Sequence, residues 1–73
     1  MNLEACVSAL ARCTFLPGGW DKRFVRNIPA DLNAMTEKQR WWLVSLTHRY
    51  RRQIPDKLLI QQASEWLANN PKP

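Results

Sequence analysis

The chain is poor in the residues that carry most enzyme and metal chemistry. It has one histidine, two cysteines and two glycines among its 73 residues. No nucleophile stands paired with a base, no two acids share a face at helical spacing, and no glycine-rich phosphate loop is present, so catalysis is not expected. Cys6, Cys13 and His48 match no spacing that zinc sites use, and neither a metal nor a cofactor is expected. On one helix the two cysteines lie roughly 10 Å apart, beyond the reach of a disulfide, and read as reduced, half-buried core residues.

Also missing is any run approaching the roughly 20 apolar residues of a membrane span. The start, MNLEACVSALARC, lacks the basic opening and apolar centre of a signal peptide, which favours a cytoplasmic protein. No stretch alternates apolar and polar residues over a useful length, so strands are not expected. Acids are scarce too. Eleven Lys and Arg face six Asp and Glu, a formal charge of +5 and a pI near 9.9, an excess that attracts phosphate or an acidic protein surface.

What is present reads as helix. Leu3, Cys6, Val7 and Leu10 recur at i, i+3, i+4 and i+7, which predicts an amphipathic helix over about 3–14 with Asn2 as N-cap. Pro17-Gly18 fits the centre of a type II turn. Trp20, Phe24 and Ile28 fall four apart in a short helix, 20–28, stopped by Pro29. Residues 29–35 form a connector that tucks Leu32 and Met35 under the core. Thr36-Glu37-Lys38-Gln39 has the form of a capping box and opens a helix over 37–53. Pro55 suits the first position of a last helix, 55–69, whose inner side carries Leu59, Ile60, Ala63, Trp66 and Leu67. The expected fold is all-α: one small domain, 1–73, of three to four helices.

The third helix holds the functional question, because QRWWLVSLTHRYRRQ places Trp41 beside Trp42. Neighbours on a helix point about 100° apart. Counted from Glu37, Trp42, Leu43, Leu46, Tyr50 and Ile54 fall between about 140° and 260° and make the core face. Arg40, Trp41, Val44, Ser45, His48, Arg51 and Arg52 collect opposite, with Lys38 at the edge and Arg49 at the border. Between Lys38 and Arg52 there is no acid, so the helix repels itself and an anionic partner relieves the strain. A tryptophan among cations is the combination single-stranded nucleic-acid sites use, the cations tracking the backbone while a ring stacks on a base. The candidate contacts are Lys38, Arg40, Trp41, His48, Arg49, Arg51 and Arg52, extended by Lys22, Arg23 and Arg26 where the short helix lies alongside.

Other readings stand beside this one. Trp41 and Val44 also suit a helix buried on two sides, and Trp and Arg are enriched at protein interface hot spots. The run RYRR also complements the helix dipole. Spare aromatics in so small a core suit a dimer. Adsorption to membrane is the weakest reading, for want of apolar area beside the cations.

Two stretches, ALARCTFLPGGWDKRFVR (9–26) and TEKQRWWLVSLTHRYRRQIP (36–55), together resemble a group of small bacteriophage and prophage proteins. That group carries ARCTFLPG-x-W-D-K-R-F followed by L-T-x-K-Q and Y-R-R-Q; here Met35 precedes the threonine where leucine is usual. The T-x-K-Q helix and its arginines are also similar to short helical modules that accompany phage helicases of replication and recombination. The resemblance spans about half the chain and implies a mobile-element context in a bacterial host and work near DNA. It names no catalytic residue. Small phage proteins also act by binding and blocking host proteins, defence complexes included, so the same context supports an interaction module or inhibitor.

Overall fold

The computed structural model describes every residue except Pro17. Among the described residues there are four α-helices and two short 3-10 turns, and no strand: α1 Leu3–Ala11, α2 Trp20–Arg26, α3 Glu37–Arg49 and α4 Lys57–Asn69, with the turns at Leu32–Ala34 and Arg51–Gln53. The fold is all-α. No helix is long and apolar enough to cross a membrane.

Local chemistry sets the helix starts. The Asn2 side chain accepts from Ala5 N–H at 3.1 Å and caps α1. Thr36 and Gln39 form the reciprocal capping box of α3, the Thr36 hydroxyl accepting from Gln39 N–H at 3.1 Å and the Gln39 side chain from Thr36 N–H at 2.9 Å. At α4 the cap is Asp56, whose carboxylate accepts from Leu59 N–H at 3.0 Å. Pro55 therefore lies one residue outside the cap instead of opening the helix, because Asp56 supplies an acceptor that proline lacks.

Three ends come earlier than their periodicity predicts. α1 stops at Ala11, not near 14, and α2 at Arg26, not 28, where Asn27 N–H turns back to Arg23 and Phe24 carbonyls. α3 stops at Arg49, and 51–53 tighten into a 3-10 turn. The expected turn at Pro17-Gly18 falls partly outside the described residues. Its glycine has φ +72°, and Gly19 N–H donates to the Leu16 carbonyl at 3.1 Å. A side chain at position 18 is disfavoured by that left-handed backbone.

α3 packs against α1 and α4. A helix held between two neighbours buries a wider arc than one stripe, and this corrects the expected face. Val44, which the wheel places opposite the expected stripe, is completely buried, as the reading of a helix covered on two sides has it, and so are Leu43, Leu46 and Thr47. The buried arc of α3 is centred near about 260° on the same wheel, some 60° beyond the expected stripe. Trp42, assigned to the core, is only half-buried at the margin of that arc, whereas Tyr50 lies within it at the C-cap and is half-buried against the core cluster. The Thr47 hydroxyl donates to the Leu43 carbonyl at 2.9 Å, so its burial leaves no polar atom unpaired.

Leu43 and Leu46 join Cys6 and Leu10 of α1, Leu59 of α4 and Met35 in one cluster. Met35 and Leu32 thus sit under the core as the connector reading expects. Cys6 is fully buried and Cys13 half-buried, both as free thiols. The loop after α1 is pinned from a distance: Gln53 accepts from Thr14 N–H at 2.7 Å and donates to the Thr14 carbonyl at 3.1 Å. Phe15 meets Tyr50 edge-to-face at 4.8 Å. Together these contacts hold the loop that delivers α2.

Candidate nucleic-acid interface

Trp41 and Trp42, about 100° apart on α3, do not divide into one core ring and one exposed ring. Both are half-buried, at the two edges of the exposed strip. Their rings stand perpendicular, centroids 5.0 Å apart at 88°. The Trp41 indole N–H donates to the Asn70 carbonyl at 3.0 Å, so the chain after α4 covers part of that ring. Lys72 follows, its ammonium 5.0 Å from the Trp42 centroid and 5.9 Å from that of Trp41.

The first turn of α2 extends the aromatic group. Trp20 meets Trp42 at 5.1 Å with a 62° tilt and stacks on Phe24 at 5.3 Å and 20°. Four rings thus form a row: Trp41, Trp42, Trp20, Phe24. Trp20 is 53% exposed. With its half-buried neighbours Trp42 and Phe24 it makes an aromatic patch partly open to solvent.

Asp21 fastens this arrangement. Its carboxylate accepts the Tyr50 hydroxyl proton at 2.6 Å and pairs with the Arg49 guanidinium at 3.5 Å. That hydrogen bond, reinforced by partial burial and the neighbouring carboxylate charge, pushes the Tyr50 hydroxyl up to about 12. The acid-free run on α3 is therefore partly balanced through space, by an acid that α2 supplies. The aspartate was not legible as a partner because it lies 28 residues from Arg49.

The ten sequence-predicted contacts separate into groups. Lys38 and Arg49 are exposed on the strip that carries the rings, Lys38 one turn before Trp42. Lys22, Arg23 and Arg26 are exposed on α2, Arg23 within about 60° of Trp20 on the helix wheel and Lys22 and Arg26 on the side away from Phe24. Arg51 donates to the His48 carbonyl at 3.2 Å and thus closes the end of α3, as the dipole reading expects. Arg52 is exposed in the following turn and His48 is half-buried. Arg40 lies elsewhere: with Trp41 it lines a groove of about 1200 Å³ between the start of α1, the connector and the chain after α4. The other charged side chains of that groove are Glu4, Asp31 and Glu37, a balance that disfavours phosphate. Trp20 and Lys72 belong to the site and were not selected from sequence. The exposure of Trp20 depends on how α2 docks, which no local pattern encodes.

Among the described residues no three His, Cys, Asp or Glu side chains gather to hold a metal ion. The chain matches no family model, no curated protein and no solved structure.

Proposed function

We propose that this chain is a non-catalytic accessory protein that binds single-stranded nucleic acid through the aromatic row and the cations around it, in the phage or mobile-element setting of replication or recombination. One observation carries the reading: Trp20 is half open to solvent within a four-ring row, between Trp42 and Phe24, and exposed Lys22, Arg23, Arg26, Lys38 and Arg49 stand on the same two helices. Backbone cations with exposed rings are the combination that holds single strands without reading sequence. The principal stacking ring is accordingly Trp20 instead of Trp41, whose indole is already engaged with Asn70.

The test is titration of a labelled oligothymidylate at several salt concentrations. With about five phosphates neutralised, log K falls against log salt with a slope near −3.5. Trp20→Ala removes the open ring and loses about 1 to 3 kcal/mol of binding, while the fold persists. Failure of the wild type to bind even at low salt sinks the reading.

A second reading, an interaction module or inhibitor that docks on an acidic protein surface, draws on Leu16. This residue is 81% exposed four positions before Trp20, itself 53% exposed, so two large apolar side chains near the start of α2 lie open to solvent. Under that reading affinity purification returns one dominant partner that nuclease treatment does not release; recovery of nucleic-acid-dependent proteins alone speaks against it.

A further inference from the structure

Asn70 anchors the chain after α4 at two points. It accepts the Trp41 indole proton at 3.0 Å, and its own amide donates to the Trp66 carbonyl at 2.8 Å. Pro71 fixes the next backbone step, and Lys72 follows with its ammonium over both rings of the perpendicular pair. A cation over an indole face is a favourable contact, yet it occupies the surface on which a base stacks. Lys72 itself is exposed, so water competes for it. At such a site the contact holds by a factor of about 2 to 5, whereas one stacked base contributes a factor of about 5 to 150. A bound strand therefore outcompetes the lysine.

We propose that Lys72 gates the Trp41–Trp42 corner: in the free protein its ammonium covers the ring faces, and when a single strand binds, a base takes those faces and the ammonium moves to a phosphate. The inference rests on the single-strand reading above. The displaced charge is not wasted, because the ammonium sits on a flexible four-carbon stem that reaches neighbouring anions. Lys72 thus lowers affinity through the rings and raises it through the backbone. The two effects separate in salt dependence, since only the phosphate contact releases a counterion.

The experiment compares wild type, Lys72→Ala and Lys72→Arg against a labelled oligothymidylate over a series of salt concentrations, with circular dichroism confirming that each variant is folded. For Lys72→Ala the slope becomes shallower by about 0.7. Its affinity extrapolated to high salt, where the backbone contribution vanishes, rises by a factor of about 2 to 5. Lys72→Arg, which keeps a charge able to stack on indole, retains both wild-type values. A Lys72→Ala profile identical to wild type overturns the gate while leaving the single-strand reading intact. A shallower slope with no gain at high salt also overturns it, since Lys72 is then a phosphate contact alone. A gain with an unchanged slope overturns the transfer to phosphate, and a wild type that binds no oligonucleotide overturns gate and reading together.

Discussion

Replacing Tyr50 with phenylalanine removes one oxygen and tests the tie that docks α2. The hydroxyl donates to Asp21 at 2.6 Å, while the ring meets Phe15 edge-to-face and keeps that contact in the variant. Hydrogen bonds to charged groups contribute about 1.5 to 3 kcal/mol. The lower end applies here, because Arg49 stands 3.5 Å from the same carboxylate and Asp21 retains 19% exposure, so both water and guanidinium replace part of the loss. A cost of about 1.5 kcal/mol lowers Tm by about 6 to 12 °C in a domain of this size. Alkaline pH gives an independent check. The hydroxyl titrates near 10 in the unfolded chain and near 12 in the folded one. Below pH about 10 both states keep the proton and the full stabilisation is present. Between about 10 and 12 the unfolded state releases its proton first, and stability is lost as pH rises. Thermal unfolding of wild type and Tyr50→Phe from neutral to alkaline pH therefore shows a gap that closes across that window. Equal Tm at neutral pH, or a gap that does not change above pH about 10, refutes the hydrogen bond as the tie.

The remaining predictions concern the core and its thiols. Val44→Ala destabilises by about 2 kcal/mol, seen as a lower urea midpoint with unchanged slope; a change within about 0.5 kcal/mol means that Val44 faces outward after all. Thr36→Ala breaks the capping box and costs about 1 kcal/mol, whereas an unaffected midpoint removes the box from the account. In the native protein a thiol reagent modifies Cys13 first and slowly, because burial raises that thiol, while Cys6, fully buried and raised by its own desolvation, reacts only on unfolding. Equal reaction rates at both positions contradict the packing of α1 on α3.

The helices were legible because their causes are local. Asn2, Thr36 and Gln39 act on amides three residues away, and Leu3, Cys6, Val7 and Leu10 declare a face through their spacing alone. Helix ends were less legible, since Asp56 displaced Pro55 from the start of α4 through a side-chain bond that competes with proline's preference. The face of α3 was misplaced for a different reason. Apolar periodicity finds one stripe, but α3 packs against two helices, and Thr47 counts as core only because Leu43 supplies its acceptor. The site was the least legible part. Trp20 reaches Trp42, Asp21 reaches Tyr50 and Arg49, and Lys72 reaches both α3 tryptophans, each across more than 20 residues. Sequence brought the right residue types to attention and could not say which ring stays open.

The most direct measurement of the central claim is a map of amide and indole chemical shifts as oligothymidylate is added at low salt. The account predicts that the Trp20 and Trp42 indoles move most, accompanied by backbone amides around Lys22, Arg23 and Lys38. No shifts at all, or shifts confined to the acidic groove at Asp31, Glu37 and Arg40, contradict it.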